Sequence, residues 1–355
     1  MKKWLVIIGC ISLLVACSSD DSPTYVPTPA ALNIPAFFDQ SIPDPIIPTD
    51  NPLTEEGIAL GRQLFFDPIL SRDNSIACAD CHRPENAFSD PRQFSVGITG
   101  DKGFRNSMPL QNLAWNFNLK FNWDGSASSL EDQMFGPVVN PVEMDNTWPN
   151  VERTLQDHPA YPLLFEQAFG NRNIDSTMVT KALSQFVRTL ISGNSKFDRH
   201  LAGTAQLSES EERGLALYQD EAGGDCFHCH GLPATPLWTD NSFHNNGLDA
   251  VITDRGLGEF SGDPREFGLF RSPSLRNLAF TAPYMHDGRF ATLEEVIDFY
   301  SEGLQFSETI DPLMKNVGQG GVQLTPEEKT DLIAFLLTLS EPEFTTNPAF
   351  QNPNQ

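Results

Sequence analysis

Two copies of a Cys-x-x-Cys-His motif constrain this chain more than any other feature. Residues 78–82 read CADCH and residues 226–230 read CFHCH. Such a motif attaches haem in c-type cytochromes, because two thiolates add to the two vinyl groups of one porphyrin and the adjacent His becomes an iron ligand. The motifs predict two covalent haems, held by Cys78, Cys81, His82, Cys226, Cys229 and His230.

Zinc binding and dithiol redox chemistry are the alternatives for a Cys-x-x-Cys pair. Zinc sites usually combine two pairs that lie about 15–20 residues apart, and they do not need a His directly after the second Cys. The chain has 6 cysteines, and the two outside the motifs are Cys10 and Cys17, near its start. No structural disulfide is therefore expected in the mature protein, and the joint pattern favours haem.

The start of the chain resembles a bacterial export signal that ends in a lipidation site. Lys2 and Lys3 precede an apolar stretch over residues 4–16, and residues 14–17 read LVAC. We expect residues 1–16 to be a signal peptide and Cys17 to be lipidated, so that acyl chains tether the protein. An ordinary cleaved signal is the alternative. The expected location is the periplasm or the cell-envelope face of a bacterial membrane.

Residues 17–52 are rich in Pro and short polar residues. Such a composition is typical of a flexible or semi-extended linker that cannot bury a core. We therefore expect a lipid-anchored tether here. No later segment is apolar over the length needed to cross a bilayer.

The charge balance limits the possible partners. The chain carries 23 Lys and Arg against 47 Asp and Glu, a formal net charge of -24 at pH 7. Nucleic acid would be repelled by this charge. An exported acidic protein could instead receive a basic electron-donor protein, although a generally solvated acidic surface explains the balance equally well. Membrane contact is expected only through the lipid anchor.

An internal repeat organises the rest of the chain. Residues 183–190 and 332–339 share the pattern L-x-x-F-x-x-T-L, and their offset nearly equals that of the two haem motifs. Upstream of each motif, residues 54–66 and 208–218 predict helices that open with a capping residue and an acidic first turn.

These patterns predict an all-α protein made of two cytochrome c-like haem domains that arose by internal duplication and carry long loops. The expected boundaries are 53–205 for an N-terminal peroxidatic haem domain, 206–342 for a C-terminal electron-transfer haem domain, and 343–355 for a tail. Each domain then has an ordinary size.

Several further segments resemble one protein family. They are residues 60–68 (LGRQLFFDP), 105–107 (RNS), 123–125 (WDG), 141–144 (PVEM) and 281–288 (TAPYMHDG). Together they resemble the bacterial diheme cytochrome c peroxidases, a family that includes the MauG-type enzymes, which oxidise tryptophan in a partner protein. The resemblance covers roughly residues 50–340.

The resemblance implies that peroxide reacts at the first haem, the one of Cys78, Cys81 and His82. Glu143 takes the position of the family's distal glutamate, and Gln133 and Pro137 match its other distal-pocket positions. A carboxylate there could accept the first proton of hydrogen peroxide and return it to the departing oxygen. Without the resemblance, Glu143 and Gln133 would be ordinary polar surface residues.

The resemblance also implies residues between the haems. Trp123 matches a tryptophan that can relay an electron, while core packing is the commoner role of a buried Trp. Asn106, Thr281 and Pro283 match positions around an interdomain calcium ion, which takes oxygen ligands. His286 matches a residue that hydrogen-bonds a propionate or supports the second haem.

Two departures from the reductively activated peroxidases of the family matter. Those enzymes carry a distal His in the loop after the first motif, and here no His occurs between His82 and Arg105, although Met108 is near. We therefore expect a first haem that is five-coordinate or water-bound in the ferric protein.

The second departure concerns the other haem. Those enzymes have a distal Met at the position of Tyr300, whereas MauG-type enzymes have a Tyr there. A phenolate ligand would favour oxidised iron. Met285 and Met314 are rival ligands, and a core role for Tyr300 is a further alternative. His228 is expected to face solvent, and His158, His200 and His244 receive no role.

Two functions follow from these expectations. The first is a peroxidase that reduces hydrogen peroxide to water with electrons from a small cytochrome c or cupredoxin, passed through the second haem. The alternative is a MauG-type enzyme that spends the oxidising power on an aromatic residue of a protein substrate. A pure electron-transfer cytochrome is disfavoured by Glu143 and Gln133 beside an open haem.

Overall fold

The computed structural model of the chain describes residues 25–354, so the predicted signal peptide and Cys17 lie outside the described residues. Helices dominate the fold. The α-helices are α1 Ala36–Ser41, α2 Glu55–Phe66, α3 Leu130–Gln133, α4 Phe135–Val139, α5 Trp148–Asp157, α6 Tyr161–Phe169, α7 Ser176–Arg188, α8 Lys196–Leu201, α9 Glu209–Gln219, α10 Phe227–His230, α11 Leu257–Ser261, α12 Leu293–Asp298, α13 Pro326–Leu337 and α14 Pro342–Thr346.

Shorter elements connect these helices. The 3₁₀ turns are Pro68–Leu70, Cys78–Asp80, Pro84–Asn86, Leu113–Trp115, Pro264–Glu266, Val317–Gln319 and Pro348–Phe350, and a π-helix spans Phe299–Gly303. The one sheet among the described residues pairs β1 Phe243–His244 with β2 Phe270–Arg271 in antiparallel register. The prediction of a helical protein is confirmed apart from this small ribbon.

Helices α2 and α9 begin at the positions predicted from their capping residues. The Thr54 side chain accepts a hydrogen bond from the Gly57 backbone at the start of α2. Ser208 and Glu211 form a reciprocal capping box at the start of α9. These bonds satisfy backbone N–H groups that have no partner within the helix, which explains why local sequence was sufficient to place both starts.

Each haem motif lies beside a pair of crossing helices. Helix α2 crosses α7, and a Cβ atom at Gly61 would lie 1.9 Å from the Ala182 carbonyl oxygen. Helix α9 crosses α13 in the same way, and a Cβ atom at Gly214 would lie 2.0 Å from the Asp331 carbonyl oxygen. Both crossings are thus close enough to require glycine, and each uses the residue just before the repeated L-x-x-F-x-x-T-L pattern.

Two apolar cores surround these crossings. The larger core combines α2, α6 and α7 with Phe88, and the smaller combines α9 and α13 with Tyr218, Trp238 and Phe197. In the smaller core, the Trp238 ring lies edge-on to Phe197 at a centroid distance of 5.3 Å.

Part of the segment predicted to be a flexible or semi-extended tether packs against the folded protein within residues 25–52. Phe38 is fully buried and lies edge-on against Trp115 at 5.3 Å, and the Ala30 N–H donates to the Leu53 carbonyl at 3.0 Å. Composition could not predict this packing, because one apolar side chain with a distant aromatic partner is enough to hold an otherwise Pro-rich segment against the fold.

The residues expected to be a tail also pack. Phe344 and Phe350 enter the larger core beside Phe88, with centroid distances of 5.8 Å and 6.4 Å. The Arg62 guanidinium donates to the carbonyl of Gln351 at 2.7 Å. The end of the chain therefore returns to the half that carries the first motif.

The glycine crossing allows a direct test. We expect Gly61→Ala to lower the free energy of unfolding by about 1–3 kcal/mol or more, because α2 and α7 must separate. Gly136→Ala in α4 is the control: no atom lies within 4 Å of its Cβ position, so this change is expected to be neutral or to stabilise by about 0.4–1 kcal/mol. Thermal unfolding followed by circular dichroism measures both, and equal effects would contradict the tight crossing.

Candidate functional site

The first motif presents His82 with one ring nitrogen already engaged. Its Nδ1 lies 2.9 Å from the Phe88 carbonyl oxygen. Ala87 and Phe88 both have positive φ, at 50° and 61°, which is unusual for such residues and turns this carbonyl toward the imidazole. Burial lowers the pKa of His82. The ring is therefore neutral, with Nε2 free for a metal.

The second motif repeats this arrangement with a different partner. His230 Nδ1 lies 3.0 Å from the Pro273 carbonyl oxygen, and burial lowers the pKa of His230 to about 4. Cys226, Cys229 and His230 line a cavity with about 1460 Å³ of empty space, part of it open to solvent. Its walls are mostly apolar, and buried Arg271 faces it with Nε and Nη1 unbonded by any described residue.

Both motifs therefore fit haem c. Each offers two thiols and a neutral imidazole oriented by a backbone carbonyl, which is the usual outer-shell partner of a metal-bound His. The second adds an apolar cavity and a buried cation that suits a propionate.

Glu143 lies in a loop that folds back on α4. Asn140 Nδ2 donates to its carboxylate at 2.7 Å. Glu143 is exposed to solvent in the described structure. Partial desolvation by neighbouring protein atoms raises the pKa of Glu143, and the Asn140 hydrogen bond opposes this. A carboxylate at this position can act as a general acid or base.

The other predicted distal residues lie nearby with different contacts. Pro137 is in α4, and its carbonyl accepts from the Met144 N–H at 3.2 Å, so it supports the Glu143 loop. Gln133 ends α3. No hydrogen bond joins Gln133 to Glu143 in the described part of the chain.

The loop after the first motif packs against Glu143 through its backbone. The Ile98 N–H donates to the Glu143 carbonyl at 2.9 Å, and Gly97 approaches Val142 so closely that a Cβ atom would lie 1.7 Å from its carbonyl oxygen. Met108, the possible ligand named above for the first haem, directs its sulfur to Arg271 Nη2 at 3.4 Å.

Trp123 lies where the two halves meet. It is 8% exposed and lines the second-haem cavity. Its Nε1 donates to the Asn106 carbonyl at 2.8 Å, and the Asn106 N–H donates to the His286 carbonyl at 2.7 Å. The indole is thus fixed between the segment after the first motif and the wall of the second cavity.

The structure places the predicted calcium residues in neighbouring segments. Asn106 Nδ2 donates to the Arg92 carbonyl at 2.9 Å, which leaves its Oδ1 as the atom for a cation. Thr281 is buried, and Pro283 follows it in the segment that leads to His286. Among the described residues no hydrogen bond joins Asn106 to Thr281 or Pro283.

Tyr300 and both rival methionines, Met285 and Met314, also line the second cavity. Tyr300 lies in the π-helix after α12, and such helices recur at functional sites. Asn246 Nδ2 donates to the Tyr300 hydroxyl at 3.0 Å and lies 3.6 Å from the Met285 sulfur. Burial raises the pKa of Tyr300 to about 12, and the Asn246 hydrogen bond opposes this.

His286 also lines this cavity. Its ring stacks on Phe270 at a centroid distance of 3.6 Å and an angle of 10°. Burial lowers the pKa of His286, so a neutral ring supports the cavity wall.

Comparison with known proteins now adds to this geometry. A family model for di-haem cytochrome c peroxidase matches residues 55–206. The methylamine utilization protein MauG of Methylorubrum extorquens AM1 is 38% identical over 353 residues, covering 97% of this chain and 95% of the relative. The chain belongs to the diheme cytochrome c peroxidase and MauG family.

Other members of the family agree. Cytochrome-c peroxidase IdrP1 of Pseudomonas sp. SCT is 34% identical over 349 residues, covering 88% of this chain and 89% of the relative. The crystal structure of a MauG-like protein associated with microbial copper homeostasis superposes with a TM-score of 0.81 and 36% identity, covering 92% of this chain and all of that one. The protein is thus a diheme c-type oxidoreductase that uses peroxide.

Sequence patterns carried no signal for several residues of these diheme sites. Asn246, Arg271 and the Pro273 carbonyl act through contacts that are distant in sequence, and the Phe88 carbonyl acts through a local turn that no motif marks. His228, expected to face solvent, is instead half-buried, and its Nδ1 lies 2.8 Å from Asp225. Across residues 25–354, no helix combines the length and apolar character needed to span a membrane.

His244 is a further residue that received no role. Its Nε2 lies 2.9 Å from an Asp240 oxygen and its Nδ1 2.6 Å from an Asp311 oxygen. Asp240 and Asp311 raise the pKa of His244 against the effect of burial. A cationic His244 therefore joins β1 to two loops beside the second haem.

The His244 contacts predict a pH-dependent stability. Because Asp240 and Asp311 raise the folded-state pKa of His244 above its ordinary value of 6.5, the stabilisation is complete below pH 6.5 and is lost as pH rises through the folded-state value. We expect His244→Gln to lower the free energy of unfolding by about 1–3 kcal/mol at neutral pH, with a smaller difference at alkaline pH.

Denaturant unfolding of the haem-loaded protein at several pH values measures this difference. His200→Gln is the matched control, since the His200 ring makes no hydrogen bond to any described residue. If His244→Gln behaves like His200→Gln at every pH, the proposed ion pairs do not stabilise the fold.

Proposed function

We propose that this protein is a peroxide-activated enzyme of the MauG type. Peroxide reacts at the haem of Cys78, Cys81 and His82, and the oxidising power is spent on an aromatic residue of a partner protein. The observation that carries the proposal is Tyr300, a phenol that faces the second haem cavity and accepts a hydrogen bond from Asn246 at 3.0 Å.

A phenolate ligand explains why this observation favours MauG-type chemistry. An anionic oxygen ligand stabilises oxidised iron, whereas a thioether favours reduced iron. Asn246 donates to the phenol oxygen, and a donor there stabilises the deprotonated form of Tyr300. The absence of His from residues 83–104 supports a first haem that reacts with peroxide without prior reduction.

The haem iron supplies the redox chemistry of O–O cleavage when it is bound. The chain supplies the proton transfers. We assign Glu143 the role of taking a proton from peroxide and returning it to the departing oxygen. Its raised pKa favours taking the proton, and Asn140 orients the carboxylate. Gln133 is assigned a polar contact to peroxide.

Trp123 is proposed as the electron relay between the haems. Its indole lines the second cavity, and its Nε1–H is held by the Asn106 carbonyl, in the segment that follows the first motif. The fixed N–H bond keeps the proton at Nε1 and the ring in one orientation, which favours electron passage without a proton leaving the site.

A cytochrome c peroxidase is the second candidate, supported by relatives with that name, such as IdrP1. It would use the same Glu143 site and would receive electrons at the second haem from a small cytochrome c or cupredoxin. The copper association of the solved MauG-like relative suggests an exported copper-handling protein as the first substrate to test.

We also propose the remaining parts of the architecture. These are a lipid anchor at Cys17 that holds the enzyme on the cell-envelope side of a membrane, a duplicated haem domain with boundaries at 53–205 and 206–342, and a calcium ion held by Asn106, Thr281 and Pro283. The matching contacts of Gly61 and Gly214 support the duplication.

The first experiment mixes the fully ferric protein with stoichiometric hydrogen peroxide and follows visible and near-infrared absorption by stopped flow. We expect a fast reaction without added reductant and a long-lived oxidised species shared by both haems. A reaction that requires prior reduction of one haem would instead indicate a reductively activated peroxidase.

Glu143→Gln tests proton transfer in the same assay. We expect the rate with peroxide to fall by about 10²–10⁴-fold, because the general acid and base is removed. Glu85→Gln removes an exposed carboxylate from the same half of the chain and is expected to leave the rate unchanged. An equal rate for both variants would exclude Glu143 as the proton carrier.

Tyr300→Phe tests the ligand of the second haem. We expect an altered absorption and electron paramagnetic resonance spectrum of this haem and a higher reduction potential, since the anionic ligand is lost. Met285→Leu and Met314→Leu are matched controls from the same cavity wall. If the spectrum and reduction potential change only in one methionine variant, that methionine sulfur is the ligand of the second haem. This result would contradict the MauG-type proposal.

A further inference from the structure

Arg271 differs from the other buried arginines of the chain in the partners it finds. It is 5% exposed, and no described residue bonds its Nε or Nη1. Its guanidinium has one polar side-chain contact, from Nη2 to the Met108 sulfur at 3.4 Å, and thioether sulfur is a weak acceptor. A buried cation without an anion is strongly destabilising.

The chain pairs its comparable arginines with carboxylates. Arg276 is bound by Asp198 at 2.7 Å and Arg188 by Glu131 at 2.6 Å. Acidic residues are abundant, at 47 Asp and Glu, so the missing partner of Arg271 does not reflect a shortage of carboxylates. An anion from outside the polypeptide is the simplest partner.

The position of Arg271 indicates which anion this is. The side chain lines the cavity of Cys226, Cys229 and His230. The two residues that follow Arg271 contact the second motif, because the Ser272 hydroxyl donates to the Cys229 carbonyl at 2.9 Å and the Pro273 carbonyl is bound by His230. The Arg271 backbone is therefore held in fixed register with the residues that would bind this haem, whose propionates are carboxylates.

Arg271 also faces the other half of the chain. Its backbone N–H donates to the Trp123 carbonyl at 2.9 Å. Its side chain borders a second, smaller cavity between the halves, where the buried Gln111 Oε1 is also unbonded by described residues. An ordered water could satisfy Gln111, but water would not neutralise the charge of Arg271.

We infer that Arg271 binds a propionate of the haem attached at Cys226 and Cys229, through Nε and Nη1. The Arg271–propionate ion pair fixes this haem against the Met108 segment and Trp123, and the guanidinium charge raises the reduction potential of the second haem. Arg271 is a cofactor-positioning residue in this assignment. The inference needs the two haems of the family and is independent of which substrate the enzyme oxidises.

The test measures the haem-loaded protein without peroxide, so its outcome does not depend on the proposed function. The variants are Arg271→Leu and Arg271→Lys. Arg265→Leu is the charge-matched control, because its side chain is 88% exposed and lies in the same half. The readouts are the reduction potential of each haem by spectroelectrochemistry and the propionate vibrations by resonance Raman spectroscopy.

We expect Arg271→Leu to lower the equilibrium constant for reduction of the second haem about tenfold, which equals ~59 mV for one electron. The reduction potential of the first haem should change less in Arg271→Leu. The Arg265→Leu variant should leave both reduction potentials unchanged. Arg271→Lys should retain most of the potential but alter the propionate vibrations, since an ammonium group cannot bind a carboxylate in the bidentate geometry of a guanidinium.

Two results would overturn the inference. Potentials and propionate vibrations equal to those of Arg265→Leu would mean that water or a solvent anion satisfies Arg271. A larger shift in the first haem than in the second would assign the anion to the other cofactor. If Arg271→Leu does not take up haem, Arg271→Gln, which is neutral and keeps hydrogen-bonding atoms, is measured against the same two criteria.

Discussion

The bond from a backbone carbonyl to the Nδ1 atom of each motif histidine is the interaction on which both sites depend. The thioether links fix the haem to the chain, but they do not decide which way the imidazole faces. Phe88 and Pro273 do so by accepting from His82 and His230 at 2.9 Å and 3.0 Å. Each bond fixes the tautomer and makes the ring a stronger iron ligand.

The two carbonyls reach the histidines by different routes, and this difference separates the sites. Phe88 is six residues from His82 and uses a local turn with positive φ. Pro273 comes from a distant segment that also carries Arg271 and forms β2. The ligand geometry of the second haem is therefore coupled to the interface between the halves, whereas that of the first is set within its own loop.

Local patterns made the haem motifs and helix starts predictable, because thioether spacing and helix capping act within a few residues. The family resemblance added Glu143 and Trp123, which have no local signature. The same reasoning failed where a contact spans the chain. Phe38 docks on Trp115, and Phe350 returns to Phe88. Composition describes neither contact, so the packing of these two segments was not predicted.

For charged residues, too, sequence patterns did not identify partners that are distant in the chain. Asp240 lies four residues from His244, but Asp311 lies 67 residues away, so the second partner could not be identified in advance. Arg271 is informative because a partner is lacking among the described residues, and this can be recognised only once all its neighbours are known.

Electron transfer between the haems requires that the two halves keep a fixed separation, and several independent bonds supply this. Arg105 pairs with Asp124, next to Trp123, and with Asp254 from the other half at 2.8 Å. Asn106, the next residue, is bound to Trp123 and to His286. Because these contacts are mostly buried, solvent screens them little. Trp123, the proposed relay, is consequently held by the same few residues that hold the halves together, so a change that loosens the interface would also disturb the proposed electron path.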